Sequence, residues 1–495
     1  MQKKYIALFL SILFIVSCFA GCTADDNQTE VTTTVPASVK EVDNTTFKLS
    51  YTQSDSLDPF KAETQNNQVL ASLAFESLFD LDENYEPAAN IATGYAFTNK
   101  TTLRVDINPQ LTFSDGSELG TEDVVHSITA AKKSPAYGSA LGCINYAEAQ
   151  SNSVFIHLNY ANPYAVNLLT FPITSTKDDE DGFPVGNGRY VYKNSGGKVV
   201  LKANTDNGFD PYIGTITLVN IAASDSIDNA VNIGNISYAF RDMSSDTSKR
   251  LSCAKKAVTM NNLVFIGINS RGGITSNAHI RQAISLAVDR TVIAESAYSG
   301  YASTAESPFN PDFKSIGNIN IFSKEADTAT AKQAINQSGY EADKLSLSIL
   351  VDSNENKISC ANLLKSQLEA VGFKVTIAQE SVKNYRAKIA QSNFDIYIGE
   401  VKLSDDMSLY PFFDKKGGAR YGIDLNKMTC DDVYIKYLSG DEELGKFILA
   451  FNDEMPYIPL VYKKGMICYS KALNGDMQGY YGNFFSNIDS WNFIS

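Results

Sequence analysis

The chain has 495 residues, 44% of them hydrophobic and 11% aromatic, and its 56 acidic against 42 basic side chains give a formal net charge of −14. That balance argues against nucleic acid and anionic lipid as electrostatic partners, while the apolar content is that of a globular body too long for one small core, so at least two lobes are expected. With only His126, His157 and His279 and no CxxC pair, neither a zinc site nor a histidine-rich metal site is legible, and no metal or other cofactor is expected.

In chain order, Met1 to Lys4 and the apolar stretch Tyr5 to Ala20 read as the charged and greasy parts of a secretory signal, too short for a membrane span. The signal ends Phe19-Ala20-Gly21-Cys22, which resembles the lipobox of bacterial lipoproteins. That resemblance implies diacylglycerol on the Cys22 thiol and a protein held on the outer face of the cell membrane, since two acyl chains anchor where one is marginal. Residues 22–44 lack aromatic side chains and read as the lipidated N-terminus and a flexible tether. Loss of residues 1–21 removes only Lys3 and Lys4, taking the charge from −14 to −16, so lipid rather than charge does the anchoring. Five further cysteines, Cys143, Cys253, Cys360, Cys430 and Cys468, are odd in number and widely spaced. Buried free thiols and one or two disulfides are both compatible with them.

Asp115-Gly116 marks a turn, and Thr121 can cap a helix whose first turn carries Glu122 and Asp123 and whose buried stripe is Val124, Ile128 and Ala131. Ile280, Ile284, Ala287 and Val288 form the inward face of an amphipathic helix running to Arg290. Asp327 can cap a helix carrying Ala331, Ala334 and Ile335, stopped at Gly339. Leu345, Leu347, Ile349 and Val351 alternate as a strand does; Ile358, Ala361, Leu364, Leu368 and Val371 follow as a helix stripe ended by Gly372, and Phe373, Val375 and Ile377 alternate again. This strand, helix, strand unit predicts a right-handed crossover and α/β architecture. Phe394, Ile396 and Ile398 form a last alternating run ending at Gly399-Glu400, and ligands of open α/β sheets sit beyond strand carboxyl ends, so Glu400 is a candidate contact.

Residues 111–128 read Leu-Thr-Phe-Ser-Asp-Gly-Ser-Glu-Leu-Gly-Thr-Glu-Asp-Val-Val-His-Ser-Ile and closely resemble a signature of the family 5 extracellular solute-binding proteins, the peptide, dipeptide and nickel binders of ABC importers. The resemblance extends to Leu57-Asp58-Pro59, Phe75-Glu76-Ser77-Leu78, Glu86-Pro87, the turn Pro184-Val185-Gly186-Asn187-Gly188-Arg189-Tyr190, Asn269, Ile280 to Arg290, and Pro456-Tyr457-Ile458-Pro459-Leu460. It implies a two-lobed α/β fold of the type II periplasmic-binding-protein kind, with an interdomain ligand cleft and an extra subdomain in the first lobe. Lobe I would comprise residues 45–265 plus 466–495 and lobe II residues 266–465. A peptide or other small solute is the implied ligand, ABC permease subunits the implied partners, and a monomer the expected state.

By the same resemblance, Glu63 and Gln65 fall at ligand-contacting positions of lobe I, and Gly399, Glu400 and Val401 at matching positions of lobe II. Peptide-binding members carry a Trp and then an Asp there, the Asp pairing with the ligand ammonium; Glu400 and Leu403 occupy those places. A buried ammonium without a countercharge is expensive, so Glu400, Asp405 or Asp406 must substitute, or the ligand is not an ordinary free-amine peptide. Glu400 is the leading candidate, against the plainer alternative of a solvated strand-end carboxylate. Asp405, Asp406 and Tyr410 are candidate rim residues, although a surface acidic pair is the favoured reading of the two aspartates. Tyr137 is a candidate aromatic wall, whereas Tyr480, Tyr481, Phe484, Phe485 and Trp491 read as core of lobe I. The sequence has no GxSxG, HExxH, Walker or GxGxxG motif, so an enzyme is not expected. A surface receptor for a peptide signal, an adhesin, or a binder of a metal chelate on the same fold remain alternatives.

Overall fold

The computed structural model describes residues 46–223, 225–243 and 251–493; the signal segment, Cys22 and the 22–44 tether lie outside the described residues. Strand β1 (Phe47–Tyr51) and helix α1 (Gln65–Ala74) precede β2 (Ala92–Asn99), β3 (Thr102–Ile107), α2 (Thr121–Ala131), β4 (Ile144–Gln150) and β5 (Ser153–Leu158). After them come β6 (Tyr190–Ser195), β7 (Lys198–Ala203), β8 (Thr215–Asn220), β9 (Tyr238–Asp242) and β10 (Ala254–Ile268). The second half holds α3 (Ala278–Ala287), β11 (Ala302–Thr304), α4 (Thr328–Ser338), β12 (Ser346–Val351), α5 (Glu355–Val371), β13 (Lys374–Gln379), β14 (Ile396–Lys402), α6 (Leu444–Glu454) and β15 (Tyr457–Tyr469).

Three larger sheets form among the described residues. One is four-stranded in the order β1-β8-β7-β6, a second is β2-β3-β5-β4, and the third, seven-stranded, runs β9-β15-β10-β14-β12-β13 with β11 attached to β15. In the second sheet Leu103, Val105, Val154 and Ile156 point to one face and meet Val124, Ile128 and Ala131 of α2. Strand alternation and helix periodicity thus build a separate small core from one stretch of sequence. This is the extra subdomain. A further core joins β1 and α1 to the C-terminal Phe484, Phe485 and Trp491, and the largest spans Leu263 to Tyr462.

The strand, helix, strand unit is present, with β12 and β13 parallel from Ser346↔Lys374 to Val351↔Gln379. Helix α5 starts where the Asn354 side chain accepts from the Lys357 N–H and stops at Gly372, whose φ of 116° suits a residue without Cβ. Asp327 caps α4 as its spacing predicts, accepting from the Thr330 N–H at 2.9 Å.

Three local expectations are corrected. Thr121 does not cap α2: Gly120 is the cap, and the Asp123 carboxylate reaches back to accept from the Gly120 N–H at 2.9 Å. The helix beginning near Ile280 ends at Ala287, where Val288 turns extended (ψ 121°). Arg290 therefore lies in a new turn and is buried, donating from Nε to the Pro459 carbonyl at 2.9 Å and from Nη1 to that of Ser323 at 3.0 Å. Strand β14 does not stop at Gly399-Glu400 but continues to Lys402, because β10 runs beside it and pairs Val401 with Leu263 and Lys402 with Asn262.

Strands β10 and β15 are 15 and 13 residues long and pass from one core into another. Val258 and Met260 of β10 belong to the core shared with β1, whereas Leu263 to Ile268 belong to the large one. The pairing of β10 with β15 shifts register between Thr259 and Leu263, where the cores change, and again between Val264 and Phe265 opposite Pro459. A proline in a central strand needs such an irregularity, since it has no N–H for the ladder.

Candidate functional site

Polar side chains bridge the two halves where β10 changes cores. The loop at Asp82–Glu86 plants Tyr85 in the large core, edge-on to Phe313, and its hydroxyl donates to Asn261 Oδ1 at 2.5 Å. Asn310 Nδ2 donates to the same oxygen at 2.9 Å, and Asn261 Nδ2 donates to Asp405 Oδ1 at 2.8 Å. From the subdomain side, Asn167 Nδ2 donates to the Tyr85 carbonyl at 2.8 Å and, more weakly, to that of Asp405 at 3.4 Å. Asn162 Nδ2 donates to Asp406 Oδ2 at 2.7 Å, and Tyr160 stacks on Tyr410 with ring centroids 3.8 Å apart.

Asp405 and Asp406 are therefore not a solvated surface pair. Adjacent side chains need not share an environment, and here both are enclosed: Asp406 is 4% exposed and Asp405 partly buried. Burial, with the nearby Asp406 charge, lifts the Asp405 carboxyl to about 6, while Lys402 and hydrogen bonds from Asn261 and Thr170 hold it down. Burial also raises Asp406, against donors on Ser404, Asn162 and Ser408. The desolvated charged form is the disfavoured one in both.

Glu400 is not a free strand-end carboxylate. Its Oε1 accepts from Asn262 Nδ2 at 2.9 Å and from Lys463 Nζ at 2.7 Å, and Lys463, only 3% exposed, has a second acid, Asp242, at 3.9 Å. Lys402 lies 5.3 Å over the Tyr481 ring. A row of alternating charges, Asp242, Lys463, Glu400, Lys402 and Asp405, thus runs along the strands that join the cores.

The remaining candidates fall around this network. Gly399 is buried because the Phe265 ring occupies the space of a Cβ, which would meet Cζ at 2.3 Å. Val401 is partly buried beside Leu263. Leu403 is 1% exposed and its N–H donates to the Asn261 carbonyl at 2.9 Å. Glu63 and Gln65 are exposed at the start of α1. Tyr137 does not stand as a free wall: it packs between Phe60 and Phe171 at 6.2 and 6.4 Å. A cavity of about 330 Å³ opens elsewhere, at the amino end of β14, lined by Asn269, Ser348, Lys388 and Asp395. Asp395 there is committed to the N–H and hydroxyl of Ser348 at 2.9 and 2.8 Å. Lys463, Asn261, Tyr85 and Asn162 were not among the residues the sequence singled out. The signal that could have found two of them is a polar residue inside an otherwise apolar strand run.

Two α/β lobes, an added subdomain and long strands passing between the cores define a two-lobed solute-binding architecture. Residues 86–420, more than half of the chain, match the bacterial extracellular solute-binding proteins, family 5 (middle), and the chain belongs to that family. It is similar to the nickel-binding protein NikA of Staphylococcus aureus (24% identity over 381 residues, 73% of this chain and 76% of that protein). It is also similar to the glutathione-binding protein GsiB of Salmonella paratyphi A (21% over 464 residues, 85% and 89%). The solved periplasmic murein tripeptide binding protein MppA, in its unliganded open form, shares the fold with a TM-score of 0.71 at 19% identity, covering 91% of this chain and 98% of that one. Membership makes the chain a solute-binding protein and not an enzyme.

Proposed function

We propose that this protein is the solute-capturing lipoprotein of an ABC importer, tethered through diacylglycerol on Cys22 to the extracytoplasmic membrane face and acting as a monomer. It takes a peptide or peptide-like solute between lobe I (residues 45–265 and 466–495) and lobe II (residues 266–465) and hands it to the permease. The observation that carries this reading is the character of the lobe contact. It includes polar contacts of Asn162, Asn167 and Asn261 with Asp405 and Asp406, groups that water can satisfy when the lobes part, so this part of the contact costs less to open than an apolar one of the same size. Closing then buries a solute in the same place, and the closed shape is what a transporter can distinguish.

Glu400 is the proposed partner for a ligand ammonium, with Lys463 its countercharge until the ligand arrives. Asp405, Asp406 and Tyr410 line the contact, Glu63 and Gln65 approach from lobe I, and Gly399 and Val401 offer backbone. The Tyr137 ring supports that wall from behind. A thermal-shift screen with di-, tri- and oligopeptides, glutathione and nickel–histidine tests the reading, because a solute that binds only the folded chain raises the melting temperature by mass action. A concentration-dependent rise with a peptide is expected. A rise with nickel–histidine alone transfers the proposal to a metal chelate, and no rise with any of them, together with no solute in the purified protein by mass spectrometry, defeats it.

A further inference from the structure

The two cysteines nearest the junction of β9, β10 and β15 lie on one face of the sheet. Cys468 lies in β15, flanked by Ala239 of β9 and Lys255 of β10. Cys253 immediately precedes β10, where Ala254 pairs with Tyr469. Since neighbouring residues alternate faces, Cys253, two residues before Lys255, projects to the same side of the sheet as Cys468, on the diagonal. Both belong to one small core with Ile227, Val231 and Met466. Each thiol acts on the other: Cys468 lowers Cys253, and Cys253 raises Cys468.

We propose that Cys253 and Cys468 become a disulfide in the exported protein, stapling β10 to β15 on the lobe I side of the strand irregularity. This rests on the diagonal placement and shared core, and it is independent of which solute is captured. Family members are extracellular solute-binding proteins, and such surroundings favour disulfides.

The two thiols have different roles. Cys253 is partly exposed and Cys468 fully buried, and the neighbouring Cys468 thiol draws Cys253 down to about 7, against its burial. Cys253 is thus the sulfur that meets an oxidant. Its thiolate attacks the disulfide of a small-molecule or protein oxidant, breaking that bond and releasing one thiol. Cys468 then loses its proton and attacks the Cys253 sulfur, expelling the second thiol, so the oxidant takes both electrons and both protons. Cys143, Cys360 and Cys430 are buried with thiols pushed up by burial, and they stay reduced.

The test is peptide mapping of the full exported chain, denatured, alkylated with iodoacetamide without reductant, and digested. The expected result is a Cys253 peptide joined to a Cys468 peptide, with Cys143, Cys360 and Cys430 alkylated. Cys253→Ser should leave Cys468 alkylated, and reductant should lower the wild-type Tm by about 5 °C while leaving the variant unmoved. Recovery of both peptides singly alkylated after incubation with oxidised glutathione, or Cys253 joined to another cysteine, overturns the proposal. Should the variant fail to fold, the wild-type map decides alone. Loss of the staple would leave the solute-capture reading standing, because ligand-induced thermal shifts are measured in reduced and oxidised protein alike.

Discussion

Replacing Asp405 with Asn keeps an oxygen to accept from Asn261, 2.8 Å away, and removes a charge that burial opposes. The native carboxyl is lifted from 3.8 to about 6, roughly two pH units, and at about 1.4 kcal/mol per unit the folded chain prefers the neutral acid by ~3 kcal/mol more than the unfolded chain does. The folded value lies above the unfolded one. The contribution of Asp405 is therefore fully present below about pH 4 and is lost as pH rises through about 6. Urea unfolding of wild type and Asp405→Asn at about pH 8 and about pH 4 isolates the effect, because every other titrating group is common to both. The variant is expected to be more stable by up to ~3 kcal/mol at the higher pH, with the gap closing at the lower. A variant less stable at the higher pH, or an offset that ignores pH, refutes the reasoning.

Lys463→Met strands the Glu400 carboxylate, and since Glu400 keeps about a quarter of its side chain exposed, the loss should be roughly 2 kcal/mol in urea unfolding rather than the larger cost of a fully buried orphan. The double variant with Glu400→Gln should recover part of it; equal stability of the single and double variants contradicts the pairing. Gly399→Ala forces a methyl against Phe265, itself held by Phe412 at 4.9 Å and Tyr457 at 5.8 Å, and should cost about 1–3 kcal/mol. Wild-type stability in that variant would show that the ring yields. Glu400→Gln should weaken binding of an amine-bearing solute about tenfold or more by calorimetry, from the loss of a charge-assisted contact, and unchanged affinity removes Glu400 from the site.

The parts of the fold that were legible in the sequence are those written locally. Ile280, Ile284 and Ala287 report one helix face, and Leu347, Ile349, Val375 and Ile377 report two strands, because helix and strand periods are set within a few residues. The charge network was not legible for the opposite reason: Lys463 meets Glu400 across 63 positions and Tyr85 meets Asn261 across 176. Tyr85 sits in a short polar turn that gives no hint of the core it enters. Asp405-Asp406 reads as solvated because most adjacent acids are; the donors that make their enclosure tolerable include Asn162 and Asn261, brought in from elsewhere in the chain. Gly399 is a site candidate through the family resemblance, while the structure gives a steric reason for a glycine there in the Phe265 ring.

Small-angle X-ray scattering on the mature chain, titrated with whichever solute raises its melting temperature, tests the closing of the two lobes most directly. The account predicts a smaller radius of gyration and a shorter maximum dimension at saturation. Superimposable curves for the free and the saturated protein would contradict it.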